Sequence, residues 1–160
     1  MRIPKIYIDT SVISYLDNAA RPDWVSETLH LWEEIIDGKY VPIVSDITIE
    51  EIEKCTEAKK DTLYSYIAQI DVVRAEETSE SLALAQKYIE HGVLKEKSRD
   101  DCRHIGLATI AEADYIVSWN FKHFVNIKTI DKVQAVNKLN GYKEIKIISP
   151  QMLGGKDGDE

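Results

Sequence analysis

Long apolar runs are missing from this sequence: none approaches the ~20 residues that a bilayer-spanning helix needs. No charged-then-apolar leader opens the chain either, and together these absences point to the cytoplasm. Cysteine is scarce. Cys55 and Cys102 lie far apart and outside any CxxC pattern, which argues against a disulfide framework and against a zinc site. Positive charge is outnumbered, with 20 Lys and Arg against 28 Asp and Glu and a net charge of −8, so binding to nucleic acid through charge alone is not expected. An enzyme that meets phosphates through a bound metal remains compatible with that balance. No GxxxxGK[ST] loop and no GxGxxG turn occurs, which removes nucleotide-hydrolysis and dinucleotide readings. Repeats and low-complexity stretches are absent as well.

What is present is ordinary for a soluble globular protein: 160 residues, 44% hydrophobic and 30% charged. Domains cluster at roughly 100–150 residues, so the expectation is one domain over residues 1–153 with a solvated tail at 154–160. Five short β-branched or aromatic runs read as strands: Lys5 to Asp9, Tyr40 to Val44, Ile70 to Arg74, Tyr115 to Ser118 and Ile145 to Ile148. Between them run helical stripes. These are Val25, Leu29, Trp32 and Ile36; Leu82, Ala85 and Ile89 after the capping residues Thr78 and Ser79; Ile105, Ala108 and Ala111; and Ile130, Val133, Val136 and Leu139, which stop at Asn140-Gly141. Strands separated by helices imply right-handed crossovers and a mostly parallel sheet covered on both faces, a three-layer α/β/α domain.

In such a sheet, sites gather at the carboxyl ends of the strands. Asp9 ends the first strand, and its plain reading is the N-cap of a helix over Ser11 to Leu16. Glu51 lies in the second turn of the helix capped by Ser45 or Asp46, and beside Glu50 and Glu53 it reads as part of a solvated face. Asp101 lies in the first turn of a helix, where Ser98-Arg99-Asp100-Asp101 resembles a capping box. A crossover helix runs antiparallel to its strands, so Asp101 approaches the same edge as Asp9 and Glu51, and Asn120, just past the fourth strand, arrives there too. Like charges so close cost free energy unless a cation compensates them, and hard oxygen ligands select magnesium or manganese over zinc. Asp100 is the alternative to Asp101, turned about 100° around the helix.

Four blocks in order carry a resemblance. Ile6-Tyr7-Ile8-Asp9-Thr10-Ser11-Val12-Ile13 resembles the opening of a PIN domain. Val44-Ser45-Asp46-Ile47-Thr48-Ile49-Glu50-Glu51-Ile52 is similar to the second acidic motif of that family, and Asp101-Cys102-Arg103-His104-Ile105-Gly106-Leu107-Ala108 to the third. Ala113-Asp114-Tyr115-Ile116-Val117-Ser118-Trp119-Asn120-Phe121-Lys122-His123-Phe124 resembles the fourth block, and Ile147-Ile148-Ser149-Pro150 the last strand. The resemblance implies a metal-dependent endoribonuclease, in many members the toxin of a toxin–antitoxin pair, with an RNA substrate, an antitoxin partner and a homodimeric assembly. It places Asp9, Glu51, Asp101 and Asn120 as catalytic residues and ligands of Mg²⁺ or Mn²⁺. Many members carry Asp where this chain has Asn120, which keeps open an alternative: a catalytically weak or inactive PIN-like RNA-binding or interaction module. Around these residues, His104 reads as a packed or hydrogen-bonded side chain, His123 and Trp119 as structural around the strand end, and Ser11 and Ser118 as groups that orient a carboxylate or a water. Lys95, Lys97, Arg99 and Arg103 near Asp101, and Lys59 and Lys60 after the Glu51 helix, read equally as surface charge or as phosphate contacts.

Overall fold

Five strands alternate with helices along the chain, in a computed structural model that describes residues 2–153; the tail expected at 154–160 lies outside them. In order these are β1 (Lys5–Ile8), α1 (Thr10–Ser14), α2 (Pro22–Ile36), β2 (Val41–Ser45), α3 (Asp46–Glu53), α4 (Glu57–Ile67), β3 (Val73–Ala75), α5 (Ser79–Glu90), α6 (Arg99–Ile110), β4 (Tyr115–Val117), α7 (Ile127–Leu139), β5 (Lys146–Ile148) and α8 (Pro150–Leu153). The strands form one sheet in the order β3-β2-β1-β4-β5, and every pairing is parallel.

Both faces of the sheet are buried, as an all-parallel sheet requires. Along β1, Tyr7 enters the core built with α5, α6 and α7, while Ile6 and Ile8 enter the core shared with α1, α2 and α4. The alternation continues in β4 and β5, where Ile116 and Ile147 take the first face and Val117 and Ile148 the second. This is the period-two geometry of a strand applied to an apolar run.

The sequence places all five strands correctly and errs in detail. The third begins at Val73 rather than Ile70, because Ile70 N–H donates to Ile67 O and closes the turn that ends α4. Helix α4 buries only Leu63, so it carries almost no apolar stripe to read. In α2 the buried residues are Thr28, Leu31, Trp32 and Ile35, while Leu29 and Ile36 are exposed. The helix is rotated by two polar anchors: Trp32 Nε1 donates to Tyr66 O at 3.1 Å and Thr28 Oγ1 accepts from Trp119 Nε1 at 2.8 Å. Counting only apolar positions misses both. In α5, likewise, Leu82 is exposed, and Ser81, Leu84, Ala85 and Tyr88 form the buried side.

Candidate functional site

The order of the sheet reverses at β1, since β2 and β3 are added on one side and β4 and β5 on the other. The crevice beyond the carboxyl ends of β1 and β4 is therefore the topological switch point where ligands bind in open α/β sheets. Asp9 directly follows β1, and Ser118 to Asn120 follow β4. A cavity of about 330 Å³ opens there, and Asp9, Glu51, Asp101 and Asn120 all line it.

Each carboxylate is held by a different set of donors. Asp9 is buried, and its Oδ1 accepts from Ser11 Oγ at 2.7 Å and from Val12 N at 3.2 Å, while Oδ2 accepts from Ser118 Oγ at 2.6 Å. The N-cap reading and the site reading of Asp9 thus describe one side chain. Burial pushes its carboxyl above the usual range, and the two hydroxyls only partly offset that.

Glu51 Oε1 accepts the Thr10 hydroxyl and lies 3.0 Å from His104 Nε2. Burial acts to raise the Glu51 carboxyl, but the His104 hydrogen bond and charge, with Thr10, outweigh it and leave it lowered. His104 is buried, with Nδ1 2.6 Å from the Tyr7 hydroxyl, which is itself 2.6 Å from Ser45 Oγ. Desolvation pulls the imidazole down, yet Glu51 and the charges of Asp9 and Asp101 leave it raised.

Asp101 Oδ2 lies 2.7 Å from His123 Nδ1, and burial raises its carboxyl more than His123 lowers it. Asn120 Oδ1 accepts from His123 N at 2.9 Å, closing a turn after β4, while its own N–H donates to Ser118 Oγ at 2.9 Å. The neighbouring acids turn elsewhere. Asp100 pairs with Arg103 at 3.0 Å, Glu50 with Arg103 at 3.3 Å and Glu53 with Lys60 at 3.3 Å.

Among the described residues, no three His, Cys, Asp or Glu side chains stand close enough together, as placed, to hold a metal ion. The reason is visible in the hydrogen bonds: the serines hold Asp9, Thr10 and His104 hold Glu51, and His123 holds Asp101. The donor chemistry is nevertheless that of a hard divalent cation, with carboxylate oxygens from three elements on one cavity. Glu51 Oε2 and Asp101 Oδ1 accept no hydrogen bond from the described residues.

Neither a protein-family model nor a curated protein sequence matches the chain. A search of solved structures does find a likeness, to a chain of VapBC2 from Rickettsia felis, a complex solved bound to a DNA fragment from its promoter. The two chains share 11% sequence identity at a TM-score of 0.57, over 91% of this chain and 98% of that one. The fold is PIN-like.

Within this PIN-like fold, the roles of Thr10 and Tyr7 escaped the sequence reading, because a hydroxyl that orients an acid or a histidine has no distinctive spacing. Ser45 caps the Glu51 helix as one of its two expected caps and also meets the Tyr7 hydroxyl. His123, read from sequence as structural, is the partner of Asp101. The capping box expected at Ser98 is not formed. A 3₁₀ turn at Glu96–Ser98 leads into α6, and the Ser98 side chain makes no cap hydrogen bond. The arginines near Asp101 are engaged within the chain: Arg103 with Glu77 at 2.7 Å as well as Glu50 and Asp100, and Arg99 with Glu96 and with Gln86 Oε1 at 2.8 Å.

Proposed function

We propose that this chain is a metal-dependent endoribonuclease that uses Mg²⁺ or Mn²⁺, and that it acts as the toxin of a toxin–antitoxin pair in the cytoplasm. The observation that carries the reading is the meeting of Asp9, Glu51 and Asp101, from three separate elements, in one cavity at the switch point of a PIN-like sheet. A divalent cation bound there supplies Lewis-acid polarisation of a phosphate and lowers the pKa of a bound water. The chain's own part is positional. Ser11 and Ser118 fix the Asp9 carboxylate, the Tyr7–His104 chain fixes Glu51, and His123 fixes Asp101. Asp9, Glu51 and Asp101 would hold the metal, with the Asn120 amide oxygen beside them. An antitoxin partner agrees with the likeness to VapBC2, and a homodimer is proposed with it.

A second reading, an RNA-binding or interaction module with weak or no catalysis, is favoured by the neutral Asn120 and by the histidines that occupy Glu51 and Asp101. Cleavage of single-stranded RNA in EDTA, Mg²⁺, Mn²⁺ and Ca²⁺ separates the two. The first expects cleavage with Mg²⁺ or Mn²⁺, little with Ca²⁺ and none in EDTA, with loss in Asp101→Asn and greater activity at low Mg²⁺ in Asn120→Asp. RNA binding without cleavage under every condition supports the second.

A further inference from the structure

Lysines without an ion pair among the described residues stand at several places, Lys54, Lys59 and Lys87 among them, but four of them share one cleft. A cleft of about 540 Å³ is lined by Lys95, Lys97, Lys122 and Lys128, and among the described residues no Asp or Glu lines it, in a chain whose net charge is −8. None of these four lysines has an ion pair among the described residues, whereas Arg99 and Arg103 are both bound to glutamates. The 13-residue helix α7 begins at this cleft, with its cap Asn126 and its Thr129 in the lining, so the positive end of its dipole adds to the lysines. The cleft adjoins the acidic cavity directly. His123 lines the cleft, and its Nδ1 lies 2.7 Å from Asp101 Oδ2, which lines the cavity.

We propose that this lysine cleft binds the phosphodiester backbone of the single-stranded RNA whose neighbouring phosphate enters the acidic cavity. The proposal rests on the nuclease reading of that cavity and adds the direction in which the strand leaves it. A polyanion brought to Asp9, Glu51 and Asp101 is repelled by them, and charges farther apart than the Debye length of ~10 Å at 0.1 M salt contribute little. Beyond a bound divalent cation, compensation comes from cations beside the cavity, and the cleft supplies four of them, with Lys54 acting on Glu51 from elsewhere. Lysine is a flexible point charge, without the rigid fork of arginine, so a lysine cluster suits a phosphate backbone.

The test is fluorescence anisotropy of a labelled single-stranded RNA 12-mer, and of the DNA of the same sequence, in EDTA across a salt series. Wild type is compared with K95Q/K97Q/K122Q/K128Q, and with K87Q/K146Q as a control on exposed lysines elsewhere. The fourfold variant should lose about tenfold or more in affinity, and its log–log salt slope should fall by ~0.7 for each phosphate that is no longer neutralised. RNA and DNA should lose affinity alike, and the control pair should stay near wild type. Equal affinity and slope in wild type and the fourfold variant would overturn the proposal, as would a wild type that ignores RNA but binds an acidic peptide through these lysines. Cleavage with Mg²⁺ is scored separately: lysine-dependent binding without cleavage removes the nuclease reading alone, and cleavage whose binding slope ignores the lysines removes the cleft alone.

Discussion

At Asp9 a single carboxylate serves two structural purposes and faces a third. It caps α1 through Val12 N, it ties the end of β1 to Ser118 past β4, and it lines the cavity. Capping residues contribute ~0.5–2 kcal/mol, and leaving a buried donor unpaired costs about 1–3 kcal/mol. Asp9→Ala should therefore destabilise the fold by about 1–3 kcal/mol even in metal-free buffer, as read by chemical denaturation. Asp101 makes no cap hydrogen bond and meets one side chain, His123, so Asp101→Asn should cost well under that. Equal losses in the two variants would mean that Asp9 adds nothing as a cap.

Helix packing decides how firmly the remaining site residues are presented. Asp101 and His104 stand on α6, and α6 lies so close to α5 that a Cβ built on Gly106 would meet Ser81 O at 2.8 Å and Ala85 N at 3.3 Å. Both are backbone atoms, so α6 as a whole would have to shift. Overpacking of this kind costs typically ~1–3 kcal/mol, and Gly106→Ala should show such a loss together with weaker metal binding. An unchanged melting temperature would mean that the two helices yield without strain. At the opposite, amino edge of the sheet, Asp114 accepts from Arg2 at 2.8 and 2.9 Å, from Lys5 N at 2.8 Å and from Lys143 at 2.9 Å. The Arg2 hydrogen bonds, with those of Lys5 and Lys143, hold its carboxyl well below the usual carboxylate range. A carboxyl lowered in the folded state stabilises above its unfolded pKa of ~3.9, and that contribution is lost as pH falls below it. Asp114→Asn should thus be less stable than wild type by about 1–2 kcal/mol at pH 7, with the gap closing as pH drops below ~3.9. Urea titrations at pH 7 and pH 3 measure it, and a gap that stays constant with pH would rule out the charged interaction as its source.

On the scale of the whole molecule, an acidic chain gathers three carboxylates at one switch point and leaves a lysine-lined cleft beside them. A ligand bound only by the folded state raises stability by ~2.7 kcal/mol at 100 times its Kd. A cation held by Asp9, Glu51 and Asp101 would also relieve their mutual repulsion. Thermal melts should therefore rise by several degrees on adding Mg²⁺ to wild type, and Asp101→Asn should lose most of that rise. A melt insensitive to Mg²⁺ in both proteins would remove the cation from this cavity.

The sequence by itself determined the alternation of five strands with helices, because apolar period and capping chemistry are local properties. Thr78 forms its capping box with Ser81, and Gly141, with φ at +77°, ends α7 where Asn140-Gly141 signals it. The gathering of Asp9, Glu51, Asp101 and Asn120 on one edge was also legible, since parallel crossovers send helix N-termini and strand carboxyl ends to the same side. Which atoms touch there was not. Glu51 Oε1 takes Thr10 and His104, and Asp101 takes His123, through pairings 22 to 53 residues apart that no local pattern encodes. The same holds for cations. Sequence proximity put Lys95, Lys97, Arg99 and Arg103 near Asp101, but the fold binds both arginines to acids, among them Glu77, 26 residues from Arg103. It leaves the two lysines in the cleft without an ion pair among the described residues, because which surfaces meet is decided by the tertiary structure.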